Sequence, residues 1–303
     1  MHVSVLAEEV IEGLNPKSGG LYVDGTLGGG GHAQRILERG GRVIGIDQDA
    51  DVLAETAERL SVWGERFSPV HGNFADMKSL LENEMDEGVD GILLDLGVSS
   101  FQLDRAERGF SFQQEGPLDM RMDRTSGRTA ADWVNTLSRE ELADTLRAYG
   151  EEPAAWRIAG AIEQARDERP LSTTLELAEV VSKAAGGRRG RLHPATRTFQ
   201  ALRMAVNDEL GALERGLDDG LNLLRMGGRM AVISFHSLED RKVKQTFNKH
   251  AGRMESLPQG GARWVGELPQ MRKITRKAVT ASDGELAENP RSRSAKLRIV
   301  ERV

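Results

Sequence analysis

Between Leu21 and Asp95 the chain alternates short apolar runs with helical patterns, and this alternation limits the folds open to it more than any other feature. Leu21-Tyr22-Val23-Asp24 reads as a buried strand running into Gly25-Thr26-Leu27-Gly28-Gly29-Gly30-Gly31. His32 to Glu38 is helical, and Arg42 to Asp47 is a second strand ending on an acid. A helix from Asp51, a strand Phe67–His71, a helix from Asp76 and a strand 90–95 repeat the unit. Strands interleaved with helices predict a parallel, doubly wound α/β sheet with a Rossmann-like ligand site.

After Gln102 no strand-like run occurs for more than a hundred residues. Segments 130–134, 139–148, 154–166, 174–183 and 195–224 carry helical patterns rich in Ala, Leu, Glu and Arg. The reading is an all-helical insertion over 105–215 within a discontinuous sheet domain, 1–104 and 216–303. The sheet resumes with strand 229–235, helix 237–249, a basic loop through Arg276 and a closing strand 296–300.

Composition excludes several chemistries. With no cysteine among 303 residues there is no disulfide scaffold, thiolate zinc site, iron–sulfur cluster or cysteine nucleophile. The six histidines are scattered, with no H-E-x-x-H, and no metal is expected. The first residues hold neither a basic front nor an apolar run, so neither a signal peptide nor a membrane partner is expected and the cytoplasm is the default. The net charge of −6 is unevenly spread: the stretch from Arg241 to Val303 carries +9, and Arg188-Arg189-Gly190-Arg191 is a second basic island. These suit phosphate contact; a solvated surface is the plain alternative.

In doubly wound sheets ligands bind beyond the carboxyl ends of the strands. Four features fall there. The glycine loop, Gly28 within it, lets backbone approach a ligand before a helix N-terminus. Asp47 ends the second strand, suited to ribose hydroxyls. Phe74 follows the third, suited to cover an adenine ring. Asp95 ends the fourth. Gly28-x-Gly30-x-x-Ala33 also fits a dinucleotide fingerprint, so an NAD-dependent oxidoreductase is an alternative. Asp24, directly before the loop, would repel a pyrophosphate and suits a positive amine, which favours S-adenosylmethionine. Helix capping is the plain alternative for Asp47 and Asp95.

Longer strings carry a resemblance. Asp24-Gly25-Thr26-Leu27-Gly28-Gly29-Gly30-Gly31-His32, Asp95-Leu96-Gly97-Val98-Ser99-Ser100, Arg108-Gly109-Phe110-Ser111-Phe112, Gly116-Pro117-Leu118-Asp119-Met120-Arg121-Met122-Asp123, the run from His193-Pro194-Ala195-Thr196-Arg197 to Arg203, and Ser234-Phe235-His236-Ser237-Leu238-Glu239-Asp240-Arg241 resemble the signatures of the ribosomal RNA small subunit methyltransferase H family. The likeness runs nearly the whole chain, to Asn289–Arg298. It implies a class I methyltransferase that moves methyl from S-adenosylmethionine to the N4 amine of a cytidine in the decoding region of 16S rRNA, with the small ribosomal subunit as partner; a homodimer is a further possible assembly. The family's cofactor contacts fall on Gly30, Gly31, His32, Asp47, Phe74, Asp95 and Gln102. Gly29 and Phe101 depart from the residues common there.

Cytosine N4 is a poor nucleophile, so the site must orient it and accept a proton. Asp95 and the carbonyls of 96–98 are candidate acceptors, and His236 is a candidate base. Ser237 with Asp240 matches a capping box, so that segment also reads as structural. Phe110 and Phe112 suit base stacking or core packing. Arg121, and a helix face holding Arg197, Gln200 and Arg203, suit RNA contact. A non-catalytic rRNA-binding assembly factor is a further alternative, against which the intact Asp24, Asp47 and Asp95 stand. A DNA amino-methyltransferase lacks its usual D/N/S-P-P-Y/F motif here. Methylation at cytosine C5 ordinarily needs a cysteine, so a chain without one is directed to the exocyclic amine or the ribose.

Overall fold

A computed structural model describes residues 4–82, 84, 87–186, 193–257, 259–265 and 270–303; the basic island at 188–191 lies outside them. The chain forms two compact units, one of residues up to Gly97 together with Leu210–Val303, the other Val98–Glu209.

The first unit is built on a seven-stranded sheet. In chain order its strands are β1 (Leu21–Asp24), β2 (Arg42–Asp47), β3 (Phe67–His71), β4 (Val89–Asp95) and β5 (Leu224–Ser234), then, after a separate hairpin of β6 (Arg253–Ser256) and β7 (Ala262–Val265), β8 (Met271–Lys273) and β9 (Lys296–Arg302). The spatial order is β3-β2-β1-β4-β5-β9-β8. β1 to β5 are parallel, whereas β9 runs antiparallel between β5 and β8. The expected closing strand is thus present, but the sheet is mixed. A parallel neighbour needs a crossover, and the crossover after β5 leads to the edge strand β8, leaving β9 to turn back into the gap.

β1 is buried along its whole length, β4 through its centre and β5 from Met230 to Ser234, as parallel strands covered on both faces are. One face packs α1 (Ala7–Leu14), α2 (Gly31–Glu38) and α3 (Ala50–Leu60) through Leu6, Ile11, Ile36, Leu37 and Leu60. The other packs α4 (Met77–Leu80) and the later helices through Met77, Leu213, Leu217 and Phe247. Among the described residues no helix is long and apolar enough to cross a membrane.

The second unit holds α5 (Ser100–Asp104), α6 (Ala130–Thr136), α7 (Arg139–Gly150), α8 (Ala155–Glu168), α9 (Thr174–Ala184) and α10 (Thr196–Val206), packed on one apolar core. Ser138 and Thr173 open α7 and α9 with capping boxes, each closed by a Glu three residues on. The helical pattern over 195–224 is broken after Val206, and α11 (Glu209–Leu223) begins separately. At the break Asp208 has φ +47°, and Asn207 accepts from Met122 N (2.7 Å) and donates to the Met120 carbonyl (2.8 Å). Those bonds reach residues 85 and 87 positions away, so periodicity could not show them. The sheet unit then adds α12 (Ser237–Ala251) and α13 (Asp283–Glu288).

Candidate active site

The loop after β1 is tied to both neighbouring strands. Gly25 N donates to the Leu93 carbonyl of β4 and Leu27 N to the Ile46 carbonyl of β2, each at 2.9 Å. Gly30, the residue before α2, has φ +63°, and a Cβ there would lie 2.7 Å from Thr56 Cγ2. At Gly31 a Cβ would lie 2.1 Å from Ser4 Oγ. Bare backbone is therefore what fits at Gly30, whereas at Gly31 the Ser4 hydroxyl would have to turn aside. Thr56, on α3, donates to the Gly28 carbonyl at 2.6 Å and pins the loop from the far side. Nothing in the local sequence singled out Thr56.

Carboxylates converge on this loop. Asp47 Oδ2 accepts from Gly28 N (2.7 Å), and Oδ1 from Asp49 N (2.9 Å). Burial nevertheless pushes its carboxyl up to about 6, against the pull of those two bonds. Asp24 is 1% exposed. Burial pushes it up to about 7; His32 and the Thr26 N–H draw it down, and the charges of Asp95 and Asp47 add to the rise. Asp95 is held by its backbone, which donates to Thr26 Oγ1 at 2.6 Å. Its Oδ2 lies 3.6 Å from His32 Nε2, while Oδ1 is buried with no hydrogen-bond partner among the described residues. His32 is 5% exposed, and neither ring nitrogen has a hydrogen-bond partner among them.

Phe74 sits beside the loop. Asn73 accepts from Ala75 N and donates to Gln48 Oε1, both at 2.9 Å, which fixes the turn that carries the ring. A Cβ on Gly25 would come 3.1 Å from Phe74 Cβ, and one on Gly216 of α11 would come 2.5 Å from the ring itself. Gly216 lies 142 positions from Phe74 and has no motif around it, so sequence reading missed it. The sheet unit thus brings Asp24, Gly28, Gly30, Gly31, His32, Asp47, Phe74 and Asp95 to one end of its parallel strands.

The other expected residues have different settings. His236, at the end of β5, is the N-cap of α12: Nδ1 accepts from Glu239 N (3.4 Å), and Glu239 Oε2 accepts from Phe235 N and His236 N. The capping box is therefore one residue earlier than Ser237 with Asp240. Asp240 instead pairs with Arg298 (2.7 Å) and Lys296 (3.3 Å), and although burial alone would raise its carboxyl, these cations hold it below the usual range. Gln102 belongs to the helical unit, where its Oε1 accepts from Ser99 N in a capping box.

Phe110 is 7% exposed inside the helical core, so it packs as core rather than offering a face to a base. Phe112 is half-buried, its ring 4.7 Å from that of His193 and 4.8 Å from that of Phe199. Arg121 makes a two-pronged pair with Asp119 (2.8 and 3.1 Å). Arg203 does the same with Glu209 (2.8 and 2.9 Å). Arg197 and Gln200 donate to the Glu151 and Tyr149 carbonyls at the end of α7. The expected basic face of α10 is thus largely engaged within its own unit. Arg108, 2% exposed, donates to the Arg121 and Met122 carbonyls, which explains part of the 108–123 motifs as internal bracing.

Three strand-end acids gather at this end of the sheet, Asp24 and Asp95 of them beside the buried His32, and leave an excess of negative charge that a cation would relieve. S-adenosylmethionine, with its sulfonium and amine, fits; a pyrophosphate does not. The doubly wound sheet and the residues gathered at its strand ends are those of a class I S-adenosylmethionine-dependent methyltransferase. More particularly, the MraW methylase family model matches residues 1–303, and the chain belongs to that family. It is 54% identical over 307 residues to ribosomal RNA small subunit methyltransferase H of Geobacter sp. strain M21, covering 100% of this chain and 98% of the relative. The protein of the same name from Geobacter sulfurreducens is also 54% identical, with 100% and 99% covered. Family membership sets aside the NAD-dependent oxidoreductase.

Proposed function

We propose that this enzyme methylates the N4 amine of a cytidine in the decoding region of 16S rRNA, acting on the small ribosomal subunit in the cytoplasm. The observation that carries the rRNA substrate is the full-length identity, 54%, to relatives named as rRNA small subunit methyltransferases. The choice of an amine is supported by Asp95, a partly exposed carboxylate at the end of β4, and by the absence of any cysteine for attack at the base C6.

In this reading Gly28, Gly30 and Gly31 give backbone access, Asp47 takes the ribose, Phe74 covers the adenine, and Asp24 faces the amine end of the cofactor, with Gln102 a further contact. The bound cofactor supplies an electrophilic methyl group. Asp95 orients the cytosine amine and accepts its proton. The helical unit recognises the RNA, with Phe112 and Arg197 as its contact candidates. Incubating the enzyme and methyl-labelled S-adenosylmethionine with undermodified small subunits and with naked rRNA, followed by nucleoside mass spectrometry, tests this. N4-methylcytidine on either substrate is expected; its absence from both would sink the reading. Sedimentation of the same preparation reads whether the assembly is a homodimer.

A further inference from the structure

We propose that Glu285 is a positioning residue for the cofactor loop: by holding the left-handed backbone of Leu6 it keeps the segment before α1 packed on Gly31, where α2 opens. This rests on the reading of the glycine loop as the S-adenosylmethionine site.

Leu6 has φ +51° and ψ 38°. A residue with a Cβ disfavours that conformation and keeps it only where its surroundings over-determine it. Three holds act on Leu6. Its side chain is 0% exposed, in the core with Ile11, Ile36 and Leu37. Its carbonyl accepts from Val10 N at 2.9 Å. Its N–H donates to Glu285 Oε1 at 2.7 Å, across 279 positions of sequence.

Glu285 is diverted from its own helix to make that bond. Ser282 is the N-cap of α13, and its hydroxyl accepts from Glu285 N at 3.2 Å. A Glu three residues after a Ser cap ordinarily reaches back to the cap N–H, as Glu141 does to Ser138 N at 2.8 Å. Glu285 turns its carboxylate to Leu6 instead, and without it that buried N–H would lack this acceptor.

The turn at Leu6 sends the chain to the start of α2. Ser4 Oγ lies 2.1 Å from where a Gly31 Cβ would be, so the segment packs on bare backbone at a helix end that has no side-chain cap. Asp47 and Thr56 hold the loop at Gly28, and the Ser4–Leu6 segment braces it at Gly31. With Glu285 gone Leu6 relaxes from its strained conformation, Ser4 leaves Gly31, and the ligand must then order a looser loop.

The test compares Glu285→Ala with Glu285→Gln, whose amide oxygen still accepts an N–H. Glu285→Ala is expected to raise the Kd for S-adenosylhomocysteine, by titration calorimetry, about fivefold. In the empty protein it should also speed amide hydrogen exchange over residues 28–33. Glu285→Gln should return both within about twofold of the wild type. Ser4→Ala should raise Kd as well, and Glu285→Ala should add little in that background, because the two act through one contact. A Tm lowered in Glu285→Ala with Kd and loop exchange unchanged would mean that the bond only stabilises the fold, and would overturn the proposal. No recovery in Glu285→Gln, or losses that multiply in the double variant, would overturn it too. Gly30→Ala, whose Cβ would meet Thr56 instead of Ser4, is the control for the loop itself. An unchanged Kd there would count against the loop as the cofactor site, while the exchange rates still decide whether Glu285 holds it.

Discussion

Asp47 Oδ2 accepts the backbone N–H of Gly28 at 2.7 Å, so the carboxylate ending β2 holds the loop that follows β1. The same carboxylate accepts from Asp49 N, which places the N-cap of α3. Hydrogen bonds to a charged acceptor are worth about 1.5–3 kcal/mol each. Asp47→Ala should therefore both destabilise the sheet unit by about 2 kcal/mol and weaken S-adenosylmethionine binding at least tenfold. Denaturant melts and titration calorimetry read the two effects; a loss of affinity with unchanged stability would mean that the loop does not depend on this anchor.

Cofactor binding should tighten as pH rises. Asp24 and Asp47 have carboxyls pushed by burial up to about 7 and about 6, far above the ordinary carboxylate value of 3.8. A raised carboxyl favours the empty fold below pH 4, and that contribution is lost as pH climbs through 6 and 7. A cationic ligand needs the ionised form, so protons are released on binding below about pH 7. Affinity should then fall by about tenfold per pH unit for each group as pH drops below its value. Calorimetry from pH 5.5 to 8.5 in buffers of different ionisation heat measures both Kd and proton count; a flat Kd over that range would refute the coupling. Asp24→Asn should raise the Tm of the empty protein at pH 8 while weakening the cofactor.

Gly216→Ala should weaken cofactor binding without touching the ligand. The added Cβ would sit 2.5 Å from Phe74 Cδ2, so either the ring or α11 must shift. Overpacking of this kind costs about 1–3 kcal/mol. A displaced ring loses its cover on the adenine, and a fall of about tenfold in affinity is expected by calorimetry; wild-type affinity would show that Phe74 takes no part in binding.

Arg203→Ala should act on stability rather than on the RNA. The Arg203–Glu209 pair is two-pronged, with side chains 16% and 11% exposed. Removing one partner of a buried pair costs about 3–5 kcal/mol. The helical unit should melt several degrees lower, while the slope of log affinity for rRNA against log salt stays as in the wild type. A slope reduced by about one unit would instead mark a phosphate contact.

The glycine loop, the strand-end acids Asp24, Asp47 and Asp95 and the position of Phe74 were all legible in the sequence, because strand and helix periods are local and the topology then forces strand ends together. The long strings around them carried the resemblance to the rRNA methyltransferase family. What the side chains of the helical unit do was not legible. Arg121 and Arg203 read as free cations until their partners Asp119 and Glu209 were in place, and Phe110 read equally as a stacking surface or as core. Charge and aromaticity state what a residue can do; its neighbours decide what it does. The same holds for the antiparallel β9, the cap at His236, and Thr56 and Gly216. Each depends on contacts or pairings that local patterns do not encode, since a pattern sets which face of an element is apolar and only folding in three dimensions sets what that face meets.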